Sequence, residues 1–283
     1  MLYFIAVLAF VFFLYTRLRD KITTHAPATF PTFENRAKLT TEKQIVACFG
    51  DSNTHGNVSY DWVADLEKKY PELQFVNAGR NSDLTFTLLK RIDDVIACKP
   101  DFVNVLIGTN DLNATFAKSS LKRYQKTGRL VEGEVPSIVS FKRNYEEIVD
   151  RLSSETQAKV SLMSLPLMGE DLENEENKSV AAYNSVIKEI ADKNGLVYLP
   201  LFEQQKSYLG QHPSQTKHRF NNYFYLLNLS AVKHYWFRKS WDEISDSHGN
   251  ELSPDFLHQN SVSGKMIAAL VGGFITTKSL PNT

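Results

Sequence analysis

The chain has 283 residues, of which 42% are hydrophobic and 23% charged, with 32 Lys and Arg against 32 Asp and Glu. That length holds one large domain or two small ones with a substantial core, and the composition excludes disordered and fibrous classes. Balanced charge removes the clustered basic surface that a nucleic-acid partner requires. Cys48 and Cys98 are too few for a disulfide framework or a zinc cluster, and their apolar neighbours predict buried free thiols.

Residues 1–15 carry no charge, and Arg17, Arg19, Asp20 and Lys21 follow at once. As a helix this run is about 22 Å long, short of the roughly 30 Å hydrocarbon core, but Thr16 and Leu18 extend it if Arg17 and Arg19 snorkel. A cleaved signal peptide ordinarily has a basic stretch ahead of its apolar run, which is missing here. The small-residue site at Ala26 and Ala28 is also interrupted by Pro27. A core helix is the weaker alternative, because the run is apolar on every face. The expectation is an uncleaved, single-pass membrane anchor over 1–18 and a linker over 19–43. Basic residues confined to the C-terminal flank point to a cytoplasmic catalytic domain.

Beyond residue 43, short apolar runs alternate with segments of helical period. Strands are predicted at 44–49, 73–77, 102–107, 160–165 and 196–201, and helices at 60–69, 84–98, 138–152, 180–193 and 262–276. Near-continuous apolar strands separated by helices imply a parallel sheet covered on both faces, an α/β fold. In such folds the chemistry sits in loops at the carboxyl ends of strands. Three of these loops combine small and polar residues: Gly50-Asp51-Ser52-Asn53-Thr54-His55-Gly56, Asn77-Ala78-Gly79-Arg80-Asn81-Ser82-Asp83 and Gly108-Thr109-Asn110-Asp111. A fourth, Asp255-Phe256-Leu257-His258, precedes the last predicted helix.

Together these loops hold what nucleophilic acyl transfer needs. A serine hydroxyl becomes nucleophilic when a histidine within about 2.6–3.2 Å takes its proton, and that histidine needs a carboxylate on its other nitrogen. The Asp-x-x-His spacing lets one turn present both. Asn110 offers a neutral amide to a developing oxyanion, and backbone N–H groups offer more. Ser52 lies between a strand and a helix, where N–H groups favour negative charge.

The four blocks, in this order, resemble the SGNH hydrolase family, the GDSL-type esterases and lipases. The resemblance spans roughly 44–275, except for 203–250, and implies a three-layer α/β/α sandwich of flavodoxin-like topology. It implies Ser52 as nucleophile, His258 as base and Asp255 as its orienting partner. The oxyanion donors it implies are the N–H of Ser52, the side chain of Asn110 and one N–H of the second block. In that block the position usually held by glycine is Ser82, while Gly79 matches an earlier glycine, so either can be the donor. The downstream glycine, Gly264, comes one residue later than the family spacing after His258. The resemblance implies no metal and no organic cofactor, and it also allows an exported domain. Asp51 and Asp111 are read as loop braces and His55 as a packing residue.

The domain is expected to run over 44–283, with an aromatic and basic insertion at about 203–250 that includes Tyr208, Tyr223, Trp236, Trp241, Lys217 and Arg219. One reading is a wall for an acyl chain or glycan, with or without contact to a membrane interface; the other is a helix pair with its aromatics packed inward. The function expected is hydrolysis of carboxylic esters, of an acyl lipid, a lysophospholipid or an O-acetylated sugar. The partners expected are that ester and, through residues 1–18, a membrane. Acyl transfer from the same site, a metallophosphoesterase built on Asp51 and His55, and a catalytically silent scaffold are the alternatives.

Overall fold

A computed structural model describes residues 12–13, 15–18, 20, 22, 25–116, 118–131 and 133–277. Five strands, β1 (Ile45–Gly50), β2 (Gln74–Gly79), β3 (Phe102–Leu106), β4 (Lys159–Met163) and β5 (Val197–Leu199), form one sheet in the order β2-β1-β3-β4-β5, every pair parallel. All six residues of β1 are buried, which is why this strand reads as a continuous apolar run. The pleat sends alternate residues to opposite faces. Ala47 and Phe49 join a core with Phe141, Tyr145 and Ile187, while Val46 and Cys48 join a second with Trp62, Leu66, Ile267 and Val271.

The helices behind those residues make the outer layers. One face is covered by α4 (Thr85–Leu89), α5 (Ile92–Ile96), α8 (Ile138–Glu155) and α9 (Glu175–Asn194), the other by α3 (Trp62–Lys69) and α13 (Ser261–Thr276). The result is the expected α/β fold with a central parallel sheet. The predicted helix over 84–98 is divided at Arg91, whose φ of −121° and ψ of 17° leave the helical region. The buried Arg91 guanidinium turns inward to Asp83 and the Gly50 carbonyl. Two further helices, α6 (Thr109–Phe116) and α7 (Lys118–Lys126), follow the third loop, where the sequence pattern named none.

Among the described residues no helix is long and apolar enough to cross a membrane. This overturns the single-pass anchor expected over 1–18, and the assignment of a membrane side falls with it. Residues 1–11 lie outside the described residues. Residues 12, 13, 15–18, 20 and 22 have helical backbone. There the chain packs on the domain instead of leaving it: Leu18 is buried, and the Ile22 carbonyl accepts from Asn57 Nδ2 at 2.9 Å and Asn81 Nδ2 at 2.8 Å. The described part of 19–43, expected as a linker, is likewise fastened: Thr29 Oγ1 accepts from the Asn77 N–H, and the short helix α1 (Phe33–Arg36) ends on an Arg36–Asp94 ion pair of 2.9 Å.

Between β5 and the last catalytic loop lie α10 (Leu201–Gln211), α11 (Tyr223–Phe237) and α12 (Trp241–His248). The first belongs to the core, since Gln205 donates to Gln259 Oε1 and Ser263 Oγ and accepts from the Leu167 N–H. Phe220, Tyr223 and Leu226 join the main core, as the inward-packing reading expects, whereas Phe224, Tyr225 and Trp236 stay exposed.

Candidate active site

The strand β1 sits where the sheet order reverses, with β2 on one side and β3 on the other, and the crevice at such a switch point is the usual ligand site. Register places Gly50 opposite both Gly79 and Leu106, so the three loops leave the sheet at one level. The first loop turns directly into a one-turn helix, α2 (Ser52–His55), capped by Asp51, whose carboxylate accepts from the Asn53 N–H at 2.9 Å. Close approach of the second loop depends on Gly79, because a Cβ there would lie 2.2 Å from the His55 nitrogen.

Ser52, Asp255 and His258 converge from 206 residues apart. Ser52 Oγ donates to His258 Nε2 at 3.0 Å, and His258 Nδ1–H donates to Asp255 Oδ2 at 2.8 Å. The other carboxylate oxygen of Asp255 accepts from the backbone N–H groups of Leu257 and His258. Burial opposes ionisation of Asp255, but the His258 charge and these hydrogen bonds outweigh it and hold the carboxyl below its ordinary range. The loop makes so tight a bend because Phe256 takes a left-handed φ of 74°, pinned by the Gly169 N–H on its carbonyl at 3.0 Å. Glu170 holds the approach to this loop: its buried carboxylate accepts from the N–H groups of Glu251, Leu252 and Ser253.

Asn110 enters the same centre from α6. Its Nδ2 donates to the Asp83 carbonyl at 2.9 Å and, at a longer 3.3 Å, to Oδ2 of Asp51, the residue before Ser52. Its Oδ1 accepts from Tyr124 Oη at 2.6 Å. That bond sets which end of the amide faces the site, and Tyr124 is fully buried, so burial pushes its phenol up to about 12 and keeps the proton on oxygen. The second loop is pinned through Asp83, whose buried carboxylate pairs with Arg80, Arg91 and Arg129. Ser82 itself has a φ of 64°, the left-handed conformation that glycine adopts without a Cβ penalty. Gly79 spends its N–H on Asn77 Oδ1 at 3.0 Å. Among the described residues the N–H groups of Ser52 and Ser82 meet no acceptor.

The remaining polar residues of the loops brace them. Asp111 accepts from the backbone and hydroxyl of Thr85, and burial raises its carboxyl to about 6. Burial also raises Asp51 to about 7, against the Asn53 N–H that stabilises its charge. His55, weighed above as a metal ligand beside Asp51, uses both ring nitrogens on backbone: Nε2–H donates to the His25 carbonyl and Nδ1 accepts from the Asn57 N–H. Burial lowers its pKa and keeps the ring neutral. Gly264 lies in α13 and not in the catalytic loop, where a Cβ would meet the Tyr60 ring at 2.3 Å. Its extra residue of spacing therefore leaves the Asp255–His258 pair untouched.

Tyr124, Arg91, Arg129 and Glu170 carry weight that the short motifs did not reveal. Each reaches the site from a distant element, and only a charged or hydroxyl-bearing residue in an otherwise apolar context could have hinted at it.

Comparison with known proteins bears on the family and on the fold. The family model described as the GDSL-like lipase/acylhydrolase family matches residues 48–223, which end before Asp255 and His258. An acetyl xylan esterase, AlAXEase, superposes with a TM-score of 0.58 at 18% identity, covering 82% of this chain and 99% of its own. The lipase/acylhydrolase from Enterococcus faecalis gives 0.56 at 21% identity, covering 85% and 99%. The acetylxylan esterase Axe2 from Geobacillus stearothermophilus gives 0.56 at 16%, covering 86% and 100%. At these identities the likeness is one of fold. No curated protein matches the chain in sequence.

Proposed function

The chain belongs to the GDSL-like lipase/acylhydrolase family and is an ester hydrolase, and from that premise we propose that it is a serine esterase working through an acyl-enzyme on Ser52. The observation that carries this reading is the line of hydrogen bonds from Ser52 through His258 to Asp255. Ser52 Oγ attacks the ester carbonyl carbon as its proton passes to His258 Nε2, and the carbonyl π pair moves onto oxygen. Asp255 keeps Nδ1 protonated and stabilises the imidazolium. The oxyanion is received by the N–H groups of Ser52 and Ser82 and by Asn110 Nδ2, which exchanges its long 3.3 Å contact with Asp51 for it. The carbon–oxygen bond to the alcohol then breaks, and His258 returns its proton to the departing oxygen. Water repeats the sequence on the acyl-enzyme, releasing the acid and restoring Ser52. No metal or organic cofactor takes part. Gly79 is set aside as a donor because its N–H is already paired.

We assign the acyl group to the short, acetyl-like class. Ser52 and His258 are only 7% and 6% exposed, which supports a narrow slot at the reacting carbon, and two of the fold relatives are acetyl xylan esterases. The test is a panel of esters of rising acyl length with Ser52→Ala as control, together with labelling by a fluorophosphonate. Labelling of Ser52 with the highest rate on acetyl esters supports the reading. A preference for long chains overturns the short-acyl assignment, and absence of both labelling and turnover overturns the nucleophile.

A further inference from the structure

The helix α11 carries large apolar and aromatic side chains on both its inner and its outer side, with Asn228, Ser230, Lys233 and His234 among them. Only one side is covered. Tyr223, Leu226, Ser230 and Ala231 are buried against the domain, at the three- and four-residue spacing of one face. The opposite face presents Phe224, Tyr225 and Trp236 at 52%, 62% and 42% exposure. Its one polar member, Asn228, turns its amide back to the Phe224 carbonyl. Contiguous apolar surface of this kind on a soluble domain marks an interaction site. The aromatic surface continues onto Phe116, which meets Phe220 edge-on.

The charge around this face identifies its occupant. Residues 204–241 contain no Asp or Glu and six cations, Lys206, Lys217, Arg219, Lys233, Arg238 and Lys239. Lys239 is spent on Glu243 at 2.6 Å and Lys233 on Ser247 and His248, while Arg219 and Arg238 flank the two ends of the segment. Exposed Tyr and Trp flanked by Arg is a side-chain set that settles at a lipid–water boundary, rings at the level of the headgroups and cations toward anionic lipid. A second copy of this chain laid face to face would bring like charge against like charge, and a neutral polysaccharide has no use for the cations. We infer that the outer face of α11 is a peripheral docking surface for an anionic lipid–water interface. It needs no membrane-spanning segment and does not rest on the ester-hydrolase reading.

Docking there would hold the catalytic loops against the lipid surface. Tyr235 Oη donates to the Asn57 carbonyl at 2.5 Å, five residues beyond Ser52, and Tyr223 Oη is hydrogen-bonded to Ser120, beside the Tyr124 that orients Asn110. The helix α11 is thus tied at its C-terminal end to Asn57, just beyond the first loop, and at its N-terminal end to α7.

The experiment is co-sedimentation of the full chain with vesicles of phosphatidylglycerol and phosphatidylcholine, compared with phosphatidylcholine alone, in low and high salt. Wild type and Ser52→Ala should bind the anionic vesicles equally, which reads docking apart from catalysis. The double variant Tyr225→Ser/Trp236→Ser should bind at least about tenfold more weakly, since each ring lost from an apolar contact is worth roughly a decade or more. Phe33→Ser, an exposed ring on α1, should leave binding unchanged, and far-ultraviolet circular dichroism should confirm that all variants are folded. Undiminished binding by the α11 variant would overturn the inference by placing affinity in another segment. Binding indifferent to anionic lipid, capture by insoluble polysaccharide without vesicle binding, or a wild-type dimer dissociated by the α11 variant would each overturn it as well.

Discussion

The loops that hold Ser52 and His258 and the helix α11 beside them are held by different forces. In the loops nearly every fixed point is polar and buried: three arginines on Asp83, three N–H groups on Glu170, two N–H groups and an imidazole on Asp255. Such groups are costly to bury unpaired, so the network tolerates few alternative arrangements and fixes atoms to hydrogen-bond precision. In α11 the inner face mixes apolar side chains such as Leu226 and Ala231 with a few hydrogen bonds, Ser230 to the Pro254 carbonyl and Tyr223 to Ser120, and the exposed rings of Phe224, Tyr225 and Trp236 have no such obligation. A catalytic centre needs direction, which hydrogen bonds supply. An adaptable surface needs area, which exposed rings supply.

If that contrast is right, the largest effect comes from the buried carboxylate of the catalytic line. Asp255→Asn should lower kcat by about 10⁴-fold, because an amide cannot hold the tautomer or stabilise the imidazolium; steady-state kinetics on a short-chain ester checks it, and a loss below tenfold would break the assignment. Next come the two faces of α11. Leu226→Ala should cost about 2–5 kcal/mol of stability as a core cavity, whereas Tyr225→Ser should change it by no more than about 0.5 kcal/mol. Denaturant unfolding of the two variants measures the difference, and equal losses would show that the outer face is structurally used.

Tyr124→Phe sharpens the loop side of the comparison. It removes one hydrogen bond to Asn110 Oδ1 and should reduce kcat by about 10- to 100-fold with KM nearly constant, the signature of a donor that is present but no longer aimed. A rise in KM at unchanged kcat would instead place Tyr124 in substrate binding. The smallest effect belongs to Ser82→Gly. Glycine adopts a φ of 64° without a Cβ penalty, so stability should rise by up to about 1 kcal/mol while the N–H, and with it kcat, is kept within about twofold. Thermal unfolding and kinetics read both quantities, and a large loss of rate would give the Ser82 hydroxyl a role of its own.

Much of this was legible in the sequence. The strands were visible as apolar runs because both faces of the sheet are covered, and the candidate catalytic residues were visible because Gly-Asp-Ser, Gly-Thr-Asn-Asp and Asp-x-x-His are local arrangements set by single turns. The position of the second oxyanion donor was less legible. Ser82 and Gly79 were equal candidates on the residues alone, and what separates them is the Asn77 side chain on the Gly79 N–H and the left-handed backbone at Ser82. The N-terminal reading failed for a related reason. Hydropathy registers an apolar run but not whether protein lies against it, and Leu18 is buried while the carbonyl of Ile22 is tied to Asn57 and Asn81.

Local chemistry is legible in the chain read alone: which segments are strands, which loops end them, and which serine, asparagine, aspartate and histidine are the candidates for the reactive groups. Those features depend on neighbours within a few positions, so they are written in short stretches of chain. Only the tertiary structure shows that Tyr124 bonds to Asn110, that Arg91 breaks a helix to reach Asp83, that the Ile22 and His25 carbonyls are held by Asn57 and His55 of the first loop region, and that α11 is covered on one side. Each of these is a contact between residues distant in sequence, and burial and hydrogen bonding act on distance in space.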